Sequence, residues 1–271
     1  MGIELLEYDF MWRALLAGWI VATVCPMLGM FIVVRKQSLI GDGLGHVAFA
    51  GVTGGYLAGI YPLAGALVFT LAGAAGIEWI RRRQAEHADV SLALIFYSGL
   101  AMAIIFSSVT RMPSAGLLGF LFGSILTVSG PDIVLMSICA LVAGTVIWRL
   151  FDQLVLLSFD EDVARVSGIS TGWISMILSL LTAIVVVVGM MVVGVLLVSA
   201  MMVIPVAAAD LFGKGFKTTL FVAVLIALIA VTIGLVISFY GNVAPGGAVI
   251  MTTVVIYVLV SLMRSVQRRM K

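Results

Sequence analysis

The chain has 271 residues, 63% of them hydrophobic and 10% charged, with a formal net charge of +2. A soluble domain of that composition has too little polar surface to cover itself, and a membrane β-barrel would alternate polar and apolar residues, which this chain does not do. The fold class that remains is all-α: a polytopic integral membrane protein whose spans each need about 20 apolar residues.

The N-terminal MGIELLEYDF is acidic and has neither a basic region nor a small-residue cleavage site, so no cleavable signal is read there. A first apolar span covers about 12–34 and contains Cys25; Arg35 and Lys36 follow it. A second, about 41–60, holds Asp42 and His46 among many glycines. A third, about 62–80, runs into Arg81, Arg82 and Arg83. His87 lies in the basic loop RRRQAEHADV and reads as a solvated residue. A fourth span covers about 90–109, and Asp89 at its start suits a cap or a favourable place in the helix dipole. The piece 116–128, GLLGFLFGSILTV, is too short to cross and is expected to be a re-entrant or half helix.

Asp132 stands at the start of the next span, about 132–150, in a position for a cap. Cys139 lies within it; with Cys25 it forms no CxxC pair, and both read as buried bystanders. The polar stretch Phe151 to Ser170 follows. Asp160, Glu161 and Asp162 open a short helix there, with Ser158 as its cap and Gly168 and Ser170 as its stop. Val163 and Val166 face one way, beside the small Ala164 and Gly168. The segment is either a plain connector or a surface helix that docks against a partner. Spans at about 172–190 and 192–211 form one long apolar block with Gly189 and Gly194 near its middle. Two more, about 218–240 and 245–263, complete a set of eight or nine transmembrane helices in a single domain.

With nine crossings, Arg35, Lys36, Arg81–Arg83, Arg149, Arg165, Lys214, Lys217 and the C-terminal Arg264, Arg268, Arg269 and Lys271 all fall on one side. Arg13 and Arg111 remain on the other. The positive-inside rule makes the basic side cytoplasmic, with the N-terminus outside and the C-terminus inside.

Asp42 and His46 are one helical turn apart and project from the same face, a stripe that continues through Ala50 and Thr53. Ionisable groups inside a membrane are costly, and they mark a pathway or pair with each other. Two readings stay open: an Asp–His hydrogen bond that pins the helix start, or an ion or proton site. Carboxylate plus imidazole suits Zn²⁺, Mn²⁺ or Fe²⁺ better than Ca²⁺ or Mg²⁺. Gly51, Gly55 and Gly59 recur every four residues, and Gly41 with Gly45 repeats the spacing. Such glycines let another helix, or a second copy of the chain, approach closely. No phosphate-binding GxxxxGK[ST] is present, since FGKGFKTT lacks its leading glycine; there is also no HExxH. No catalytic residue is expected, and any ATP energy must come from another subunit.

The motifs taken together resemble one family. RKQSLIGDGLGHVAFAG resembles its arginine followed by Gly-Asp-x-x-x-His. LLGFLFGSIL is similar to its Leu-Phe-Gly segment, and SFDEDVARVSGI to its cytoplasmic segment, with Asp160, Ala164 and Gly168 in register. VVGVLLVSAMMVIPVAAA and SFYGNVAPGGAVI are similar to its later helical stretch and Pro-Gly turn. These are features of the permease subunits of bacterial ABC importers for zinc, manganese and iron. The resemblance implies a homodimer in the bacterial cytoplasmic (inner) membrane. It implies two cytoplasmic ATPase subunits, through which ATP acts, and an extracytoplasmic metal-binding protein. Membrane lipid surrounds the assembly, and no nucleic acid is expected. It implies no permanently bound cofactor; the divalent metal is cargo. It places Asp42 and His46 at metal-contact positions and makes Asp160, Glu161, Ala164 and Gly168 the coupling helix for the ATPase. Two positions depart from the family: Gly45, where serine is common, and Asn242, where an acid is common. A siderophore, haem or cobalamin permease would need a wide apolar channel, which the Asp42–His46 pair argues against. A proton-coupled secondary transporter would need no ATPase.

Overall fold

Each of the predicted apolar spans becomes a helix. The computed structural model describes residues 9–83, 88–110, 119, 123 and 128–269, and among these there is no strand. The helices are α1 (Asp9–Val34), α2 (Ile40–Ala58), α3 (Pro62–Arg83), α4 (Ala88–Thr110), α5 (Gly130–Arg149), α6 (Phe151–Phe159), α7 (Glu161–Val166), α8 (Thr171–Val193), α9 (Val195–Asp210), α10 (Phe216–Gly241) and α11 (Pro245–Arg269). His87 and Arg111 lie outside the described residues, as does the predicted half helix 116–128 apart from Gly119, Gly123 and Val128.

Local chemistry sets the boundaries. Pro62 and Pro245 open α3 and α11, where a missing N–H costs nothing. Ser129 and Asp132 form a capping box at the start of α5, the cap expected of Asp132. Asn242 takes a left-handed φ of 49° and closes α10, its N–H donating to Ser238 O. Asparagine tolerates that conformation, which gives this position a structural reason. The long apolar block breaks at Gly194, whose φ of 87° and ψ of 153° are open only to glycine.

Among the described residues, seven helices are long and apolar enough to cross a membrane: α1, α3, α4, α5, α8, α10 and α11. The other two predicted spans differ for physical reasons. The break at Gly194 leaves α9 only 16 residues. The polar and glycine content of α2 makes it the wrong helix to face lipid, and it does not: it lies among α3, α4, α8 and α9. α9 is similarly enclosed by α1, α2, α8, α10 and α11. α4 and α11 sit at the periphery with large apolar side chains exposed, such as Ile104, Val109, Leu259 and Leu262.

The two ends of the bundle are chemically distinct. Arg35, Arg81 and Arg82 meet the start of α8 at one end, where Arg81 also pairs with Glu161. Lys217 lies there over the Phe151 ring at 5.4 Å. Trp79, Trp148 and Trp173 are exposed near this basic end, and Tyr56, Tyr61 and Tyr240 at the other. Amphipathic aromatic rings collect where apolar and aqueous layers meet, so the two belts bracket the lipid-facing slab.

Candidate metal path and coupling surface

α2 starts at Ile40 with no side-chain cap, and Asp42 occupies its first turn. Asp42 and His46 are both half-buried. The His46 ring meets the Phe96 ring of α4 edge-on, with centroids 4.8 Å apart. Its Nδ1 is buried and has no hydrogen-bond partner among the described residues. A pinning hydrogen bond from that nitrogen to Asp42 is therefore not made. An unpartnered buried ring nitrogen costs about 1–3 kcal/mol, which a ligand at that atom would recover.

Gly41 and Gly45 turn toward α9. A Cβ added at Gly45 would come 2.5 Å from Val195 Cγ2, and one at Gly41 would lie 3.4 Å from both Ser199 Oγ and Met202 Sδ. Ser199 Oγ is the other buried side-chain atom without a partner among the described residues. Sequence reading passed over it, because a serine in an apolar helix normally returns its proton to the carbonyl one turn back. Among the described residues no group of three or more His, Cys, Asp or Glu side chains converges. One chain thus offers a carboxylate and an imidazole, fewer donors than the four that zinc usually takes.

The three spaced glycines have different surroundings. A Cβ at Gly51 would sit 2.5 Å from Gly65 O of α3, and one at Gly55 would sit 3.4 Å from Pro62 Cα. This close approach is within the chain. Gly59 is the C-cap of α2 with φ 69°, and a Cβ there would meet nothing.

In the segment after α6, Asp160 rather than Ser158 is the cap: its side chain accepts from the N–H groups of Asp162 and Val163, each at 3.0 Å. Ser158 belongs to α6 and bonds back to Leu154 O. Gly168 follows α7 with φ 81°, the left-handed stop that glycine permits. Ala164 is fully buried against the bundle, whereas Val163, Val166 and Phe159 are exposed. The outward surface here therefore carries Val163 and Val166 of α7 and Phe159 at the end of α6, beside the exposed Asp162 and Arg165, while Ala164 seats the helix on its own chain.

Glu161 also turns inward, and Arg81 Nη1 donates to it at 3.0 Å. Arg81 also holds Glu78, a side chain only 1% exposed. Glu78 was not singled out from the sequence; its spacing of three and four residues from Arg81 and Arg82 was the available signal. Arg35 donates to Ser175 Oγ at 2.6 Å. Burial, more than repulsion from Arg81, pushes the Arg35 guanidinium down to about 10, so it stays charged at neutral pH. Beside these residues an open groove of about 310 Å³ is lined by Arg35, Lys36, Gln37, Arg81, Phe159 and Glu161 among others.

Residues 7–264 match the ABC 3 transport family. The chain is 31% identical over 265 residues to the manganese import system permease protein ScaB of Streptococcus gordonii, covering 98% of this chain and 95% of that one. It is 26% identical over 252 residues to the high-affinity zinc uptake system membrane protein ZnuB of Haemophilus influenzae, covering 93% and 97%. Among solved structures, a chain of PsaBC from Streptococcus pneumoniae in complex with Fab superposes with a TM-score of 0.84 at 30% identity, over 96% of this chain and 95% of that one.

Proposed function

The chain belongs to the ABC 3 transport family, and on that premise we propose that it is the membrane permease of an ATP-driven importer of divalent transition metal, manganese or zinc before iron. The observation that carries the metal path is Asp42 and His46 on a helix that is rich in glycine and enclosed by other helices, with His46 Nδ1 buried and without a partner among the described residues.

The carboxylate offsets cation charge, and the imidazole replaces part of the hydration shell. Two donors per chain favour an assembly of two copies, in which the same pair from each would supply four. A metal-binding protein delivers the ion at the end carrying Tyr56 and Tyr61. Two ATPase subunits dock at the basic end, which is cytoplasmic by its charge. The exposed Val163 and Val166 of α7, with Phe159 just before it, supply apolar contacts for that docking, and the exposed Asp162 and Arg165 supply charged ones. The permease itself performs no chemistry on ATP.

The test is uptake by vesicles containing this chain, its ATPase and its binding protein, with zinc, manganese and iron supplied in parallel. ATP-dependent uptake of manganese or zinc supports the reading. Uptake that needs no ATPase, and follows a proton gradient instead, contradicts it.

A further inference from the structure

We infer that Arg81 is the joint through which movement of α7 reaches the transport helices, a positioning residue rather than a metal contact. The inference rests on the importer reading above.

The joint has a fixed half and a breakable half. In the fixed half, Glu78 Oε2 accepts from Arg81 Nε at 3.1 Å and Glu78 Oε1 from Arg81 Nη2 at 2.8 Å. Arg82 Nε adds a third bond at 3.2 Å. A buried carboxylate is costly unless charge and hydrogen bonds satisfy it, and these three bonds do so within α3 alone. Glu78 therefore does not need Glu161.

That leaves the bond from Arg81 Nη1 to Glu161 free for another role. Glu161 is 37% exposed, so its pairing is weak enough to break and re-form as α7 moves. Arg81 Nη2 also reaches Ser175 Oγ of α8 at 2.8 Å, and Arg35 Nη2 reaches the same oxygen at 2.6 Å. One planar guanidinium thus touches α3, α7 and α8, and through Ser175 the end of α1. From Arg35 the chain passes through a tight turn, with Lys36 at φ 58°, into the start of α2 and Asp42. A displacement of α7 is transmitted along Glu161, Arg81, Ser175 and Arg35 to the helix that carries Asp42 and His46.

The test uses the assembled complex in vesicles, reading metal uptake and ATP hydrolysis together. Glu161→Gln keeps the side chain's shape, and Arg81→Lys keeps the charge but not the fork. Each should lower the ions moved per ATP about fivefold or more, the low end of an ordinary coupling free energy, while hydrolysis persists. The double variant should be no worse than Arg81→Lys alone, because that change already removes the fork that Glu161 pairs with. A ratio unchanged in Glu161→Gln, or losses that multiply in the double variant, would overturn the joint. A readout independent of transport is the distance between spin labels at Val166→Cys and Trp79→Cys in the detergent-solubilised chain. Glu161→Gln should broaden that distribution, and an unchanged one counts against the link. Wild-type vesicles that hydrolyse ATP but move no metal strike the importer reading instead, and the label distances still decide whether Glu161 holds α7 to Arg81.

Discussion

Val195 occupies the space over Gly45: a Cβ added at Gly45 would come 2.5 Å from Val195 Cγ2. His46 is the next residue, and its ring packs on the other side against Phe96 of α4. A serine here would have no room for its extra atoms unless the Val195 side chain turns or α9 backs away. Gly45→Ser is expected to destabilise the chain by about 1–3 kcal/mol, the usual cost of overpacking. Val195→Ala in the same chain should recover most of the loss. Thermal unfolding in detergent checks both; a Gly45→Ser chain as stable as its parent would show that Val195 or α9 yields freely.

The helix-spaced glycines should respond unequally. Gly51→Ala drives a methyl to 2.5 Å from the backbone oxygen of Gly65, which cannot rotate aside. Gly55→Ala meets Pro62 Cα at 3.4 Å, close to ordinary contact. Gly59→Ala meets nothing, but places a Cβ on a left-handed residue at a cost of roughly 1–2 kcal/mol. Melting temperatures should therefore fall most for Gly51→Ala. Equal losses at all three positions would mean that the α2–α3 contact is softer than its geometry.

The long helices were legible because apolar runs of span length have few other meanings. The Asp42–His46 pair was legible because ionisable groups stand out in such sequence. Other features were not. Glu78 adjoins three arginines and reads as the charged end of a span until its burial is known. Ser199 gives no sequence signal, since only its burial without a partner among the described residues sets it apart from other helical serines. Ala164 is small beside exposed valines, and smallness alone does not say which neighbour a residue touches; only its full burial does. Gly59 shares the four-residue spacing of Gly51 and Gly55 by coincidence with a helix end. The enclosure of α2 and α9 depends on tertiary contacts that no window of hydropathy contains.

Orientation is open to direct labelling. Val166, 90% exposed on α7, and Tyr61, 72% exposed between α2 and α3, lie toward opposite ends of the bundle. A single cysteine at Val166 should react only with reagent admitted to the cytoplasm, and one at Tyr61 with impermeant reagent outside. The reverse pattern would invert the orientation and the transport direction built on it.

The two faces of α7 should separate docking from seating. Val166→Asp puts a charge on the exposed surface, so ATPase binding should weaken about tenfold or more, as for a buried interface position, with the permease still folded. Ala164→Leu inserts bulk at a fully buried position and should lower the stability of the permease itself by about 1–3 kcal/mol. Pull-down of the ATPase together with thermal unfolding distinguishes them. If Ala164→Leu affected only ATPase binding, the inward seat of α7 would be mistaken.

The central claim is that Asp42 and His46 carry the metal, and uptake per correctly assembled complex tests it most directly. Asp42→Asn keeps the shape and removes the negative charge. His46→Ala removes the ring nitrogen, and His46→Gln offers an amide that is a poorer donor to Zn²⁺ or Mn²⁺. Complexes are counted by permease and ATPase content before uptake is measured, so that losses of folding are set aside. Per complex, Asp42→Asn and His46→Ala are each expected to reduce ATP-driven uptake by about tenfold or more, equivalent to roughly 1.4 kcal/mol, with little rescue by His46→Gln. Normal uptake per complex in both Asp42→Asn and His46→Ala would contradict the metal path.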